Sequence, residues 1–200
     1  MQPFHPFLYP LRQIWEGPLR ERFVTGQLPD AAGFLAEWYH LIQMHTSFTP
    51  WIHPDIHLSS GGGASGSMLF MRNVNLLSGH KPALLLTEED EVVAVIELIF
   101  SPGAHADFHA AWSKLQLLAQ AAEEGKIFLE MDPLTGRPNL KNGRTFSPDW
   151  VAVLAVVAKE GGFAVTPSYL KDVYENHPLW PRFAHFVGIS GPSKVVFQAD

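Results

Sequence analysis

Two hundred residues suit one domain with a single substantial core, and the formal net charge of −6, with a pI of about 5.9, gives no overall basic balance for binding nucleic acid. The absence of cysteine excludes disulfides and thiolate sites, no run approaches the ~20 apolar residues of a membrane span, and the opening MQPFHPFLYPLRQ lacks the basic and apolar regions of a secretory signal. The cytoplasm is therefore the expected location. Charged residues make up only 17% of the chain against a usual share of about 25%, which points to a surface covered by a partner, most simply a second copy.

Residues 1–29 are rich in proline and aromatics (Pro3, Phe4, Pro6, Phe7, Tyr9, Pro10, Trp15) and read as an extended arm with at most a short helix, lying on its own domain or on a partner. Asp30 is placed as an N-cap for a helix through His45, with Phe34, Leu35, Trp38, Leu41, Ile42 and His45 on one face. Residues 46–67 read as a long loop, with a Gly-rich tract at 59–67. Three apolar runs have β character: Met68–Met71, Ala83–Thr87 and Val92–Phe100, the last two joined by the acidic turn Glu88-Glu89-Asp90-Glu91.

A helix is expected over His105–Ala122, burying Phe108, Ala111, Trp112, Leu115, Leu118, Ala119 and Ala122, followed by a strand over Lys126–Met131 and a turn at Asp132–Gly136. Ser147-Pro148-Asp149 has the composition of a helix start, predicting a third helix whose run Val151–Ala158 is buried on several sides. Short strands follow at Phe163–Val165, Phe186–Val187 and Lys194–Phe197, with a short helix from Thr166-Pro167. The expected fold is α/β: one domain over residues 30–200, built on a mixed central sheet flanked by helices.

The segment Lys81–Leu118, KPALLLTEEDEVVAVIELIFSPGAHADFHAAWSKLQLL, resembles the core of the restriction-endonuclease-like superfamily, the PD-(D/E)xK nucleases. In that family a helix precedes a β-hairpin, an acid follows a proline on one strand, an acid-x-Lys motif lies on the next, and a helix packs on the sheet. The resemblance implies two carboxylates on Mg²⁺ and a lysine that orients water or stabilises phosphate charge. Pro82 matches the family proline, but Ala83 stands where the metal-binding Asp belongs. Glu97 matches the second acid, and Ile99 occupies the lysine position. Glu37, on the first helix, matches an accessory acid of some members, and Lys114 falls where others carry a displaced lysine.

A separate pattern, HxDxH, occurs as His53-Pro54-Asp55-Ile56-His57 and as His105-Ala106-Asp107-Phe108-His109. On a helix the second copy sets two imidazoles on one side, a geometry that chelates Zn²⁺ or Ni²⁺. The tract SSGGGASGS lacks the ending of a phosphate loop, and no G-x-S-x-G surrounds a serine. Taken together, these readings favour a restriction-endonuclease-like pseudoenzyme of unknown function, acting as a binding or structural homodimer. One alternative is an active Mg²⁺-dependent nuclease using Glu97 with Lys114, helped by Asp107, Glu37 or histidines. Another is a metal-binding protein using His53, His57, His105 and His109.

Overall fold

The computed structural model describes residues 8–28, 30–52, 74–76, 83–100, 105–125, 128–131, 135, 137–158, 167–178, 180–182, 185–190 and 194–199. The N-terminal segment is helical from Leu8 rather than extended. Helix α1 (Leu8–Ile14) runs through a π-helical turn at Trp15–Leu19 into α2 (Arg20–Val24). Pro10 falls in the first turn of α1, where its missing N–H has no intrahelical partner to lose. Pro18 follows the kink at Gly17 (φ −103°, ψ −108°). Leu11, Ile14, Trp15, Leu19 and Phe23 are buried, and Trp15 packs on Phe34 and Trp38 at centroid distances of 5.6 and 4.8 Å. Aromatic burial of this size, about 150–250 Å² per ring, outweighs the local resistance of proline to helix.

Helix α3 (Ala31–His45) starts at the expected cap: the Asp30 carboxylate accepts the Gly33 N–H at 2.6 Å. Phe34, Leu35, Trp38, Leu41 and Ile42 are buried, whereas His45, assigned to the same face, is exposed. Residues 49–52, expected in a loop, form strand β1 (Thr49–Ile52). Pro50 is tolerated there because β1 pairs only with β3 among the described residues, and an edge strand need not donate from both sides.

Strand β2 (Val74–Leu76) precedes the hairpin β3 (Leu84–Glu88) and β4 (Glu91–Phe100), antiparallel as expected. Its turn holds Glu89 at φ +53°, in the left-handed region. A bulge leaves Val93 without a Cα partner on β3. Helix α4 (His105–Glu123) buries Phe108, Ala111, Trp112, Leu115 and Leu118 as expected; Ala121 is buried with them, while Ala119 and Ala122, expected in the stripe, are only partly buried. Strands β5 (Phe128–Met131) and β6 (Pro138–Ala158) follow, then helix α5 (Pro167–Tyr174) and strands β7 (His185–Ser190) and β8 (Lys194–Ala199).

The helix expected from Ser147 is a strand instead. Trp150–Val157 is wholly buried because β6 lies between the parallel neighbours β4 and β7 and both its faces are covered. Val151, Val153, Ala155 and Val157 join the core under α1–α3, and Ala152, Leu154 and Val156 join the core under α4. A run apolar at every position suits a strand buried on both faces as well as it suits a buried helix. Ser147-Pro148-Asp149 lies where β6 shifts register: Phe146 pairs with Val92, and the next matched pair is Val151 with Ala94.

The sheet order is β1-β3-β4-β6-β5-β2, with β7 also against β6 and β8 outside β7. The N-terminal half of β6 carries β5 and β2; its C-terminal half lies between β4 and β7. The expected strands at Met68–Met71 and Phe163–Val165 and the Gly-rich tract at 59–67 lie outside the described residues. No helix among the described residues is long and apolar enough to cross a membrane.

Candidate functional site

Alternation along β4 decides where Glu97 points. Val95 and Ile99, two positions either side, belong to the core under α4, so Glu97 faces that helix too. Leu154 on β6 is its register partner and lies in the same apolar layer. Glu97 is only 3% exposed, and its Oε1 has no hydrogen-bond partner among the described residues. Burial therefore raises its pKa from 4.5 to about 7, and this outweighs the opposing pull of the Lys114 ammonium and of the Ala83 backbone.

Lys114 approaches from α4, with Nζ 3.9 Å from Glu97 Oε2 and its side chain 61% exposed. The contact joins a carboxyl sealed beneath a helix to a cation at the rim. Such a pair tunes the proton on Glu97 more than it anchors the fold, because the ammonium keeps most of its hydration. Ile99, at the family's lysine position, is buried among the apolar side chains of this layer.

Glu37 is not brought to Glu97. Its carboxylate pairs with Arg22 on α2, and α3 belongs to the core on the opposite face of the sheet. Of the HxDxH copies, His53 and His57 lie outside the described residues, as do the side chains of His105 and Asp107. Residues 105–109 are helical, as expected, and the exposed His109 bonds through Nδ1 to the Tyr174 hydroxyl of α5. Among the described residues, no three His, Asp or Glu side chains form a group able to hold a metal ion.

A second concave feature, a groove of about 670 Å³, opens between α4, the register shift of β6 and the segment after α5. Arg182 fixes one wall. Its Nη1 donates to the carbonyls of Pro148 (2.9 Å) and Trp150 (3.0 Å), its guanidinium lies 5.2 Å over the Trp150 ring, and its own carbonyl accepts the Ala152 N–H. Elsewhere in the lining, the Gln116 amide meets His177 Nε2 at 2.9 Å. The sequence singled out none of these groove residues for function. Their one signal in the sequence is Ser147-Pro148-Asp149 just ahead of the apolar run Val151–Ala158, a composition that also suits a helix start.

No protein-family model matches the chain, and neither a curated protein nor a solved structure matches it.

Proposed function

We propose that this chain is a restriction-endonuclease-like domain whose nuclease chemistry has been lost, acting as a binding protein in a homodimer. The observation that carries this reading is the enclosure of Glu97: a carboxyl 3% exposed beneath α4, with apolar Val95 and Ile99 on the same row. Mg²⁺ dehydrates reluctantly and is best held by converging, hydrated carboxylates, conditions that a single sealed glutamate with a raised pKa serves poorly. Support for the family reading comes from element order: a helix, a β-hairpin with Glu97 on its second strand, and a following helix packed against that strand.

One observation favours the active alternative. Lys114, from the following helix, comes to 3.9 Å from the Glu97 carboxylate, the pairing a displaced lysine would make. Incubating the purified protein with single- and double-stranded DNA and RNA in Mg²⁺ or Mn²⁺ tests the two. The expected outcome is no cleavage above that of Glu97→Gln. Metal-dependent cleavage that Glu97→Gln and Lys114→Ala both abolish would overturn the proposal.

A further inference from the structure

The groove beside β6 is independent of Glu97 and of the nuclease resemblance. Its apolar part comes from Phe146 and Trp150 on the β6 wall and from Leu117 on α4, which remains 43% exposed. An exposed leucine facing a concavity shared with the half-buried Phe146 ring, and with a Trp150 that is itself only 3% exposed and covered by the Arg182 guanidinium, offers a slot for a flat apolar group.

Its polar part centres on Arg182. This side chain is half-buried, and only Nη1 is engaged by protein, leaving Nε and Nη2 without a partner among the described residues. No carboxylate pairs with it among the described residues. A guanidinium partly removed from water and lacking a counter-charge attracts an oxyanion, and its planar fork matches carboxylate and phosphate oxygens. Gln116, whose amide nitrogen meets His177, and Ser147 also line the groove. Glu123 is the acid of the lining. It lies seven residues along α4 from Gln116, about 10 Å by helical rise, toward the end away from the Gln116–His177 contact.

We propose that this groove binds a small, flat, ring-bearing anion, an aromatic carboxylate or aryl phosphate, with the oxyanion on Arg182 and the ring against Leu117 and Phe146. The carbonyl bonds of Arg182 preorganise the site, because they hold the guanidinium and the aromatic wall in one geometry before a ligand arrives.

The test is titration of the full chain with benzoate and phenyl phosphate, followed through the indole N–H resonance of Trp150, which Trp150→Phe identifies by its loss. A saturable shift with at least one of the two is expected, with benzamide and inorganic phosphate each binding about tenfold more weakly or worse. Saturation by only one assigns a carboxylate or a phosphate ester and upholds the proposal. Ser147→Asp, which adds like charge to the wall, is expected to weaken anion binding about tenfold with the melting temperature unchanged. Arg182→Lys keeps the charge, loses the fork and is expected to weaken binding too; should it unfold, Ser147→Asp alone decides. No saturable shift, equal binding of benzamide, or unweakened binding by Ser147→Asp would each overturn the assignment.

Discussion

Glu97 is a buried carboxyl whose desolvation raises its pKa to about 7. A carboxylate sealed under α4 loses its hydration, and a single ammonium at 3.9 Å, itself mostly in water, does not restore it. The folded state therefore holds the Glu97 proton more tightly than the unfolded chain does, between pH 4.5 and about 7. The sign follows: this contribution to stability is fully present below pH 4.5 and is lost as pH rises through about 7. The raised pKa corresponds to about 3 kcal/mol. Glu97→Gln removes the titration, so urea unfolding should show the variant gaining on the natural chain by up to that amount between pH 5 and pH 8. Parallel stability profiles for the two would show that Glu97 is hydrated in the folded protein. The contact with Lys114 was legible in the sequence through the nuclease resemblance, in which a displaced lysine lies on the helix after the second strand. The depth of burial was not, since it depends on which layer α4 covers.

At the scale of elements, the hairpin and its turn illustrate local determination. The apolar runs of β3 and β4 and the acidic run between them specify the pairing, yet the turn carries a cost: Glu89 adopts φ +53° with acids on both sides. Glu89→Gly should relieve the left-handed strain and one like charge, raising stability by about 0.5–1 kcal/mol in chemical denaturation. Strand β6 shows the opposite case. Val151–Ala158 has no period to read, and the serine, proline and aspartate before it favoured a helix. Parallel pairing on both edges and cover on both faces made it the central strand of the sheet. Leu154, fully buried beside Glu97, should cost about 2–5 kcal/mol on truncation to alanine, whereas a residue on an exposed helix face would cost a fraction of that. A small measured loss would show that this layer collapses around the cavity.

The whole molecule joins two apolar cores across one sheet, with Trp15 and Trp38 in one and Trp51 and Trp112 in the other. The Trp51 indole donates to the buried Thr87 hydroxyl at 2.9 Å, and the Arg144 guanidinium lies 5.6 Å over the same ring. A charged share of 17% on such a body leads us to expect self-association burying more than about 1,000 Å². Light scattering at tens of micromolar should then report about twice the chain's 22.3 kDa, and a monomer mass would set the composition argument aside.

What the sequence determined by itself was local: the Asp30 cap, the α3 and α4 stripes, the β3–β4 hairpin and the place of Glu97 on its second strand. Each rests on neighbours within a few turns or one hairpin, where spacing and side-chain chemistry act directly. Tertiary structure alone decided the rest. Residues 8–24 became helix because their aromatics had a core to enter, β1 accepted Pro50 because it lies at an edge, and β6 became a strand because neighbours covered it from every side. The groove belongs to the same class. Leu117, Trp150 and Arg182 meet only after α4, β6 and the segment beyond α5 have packed, and contacts that distant in the chain are set by the packing energy of the whole rather than by any local pattern.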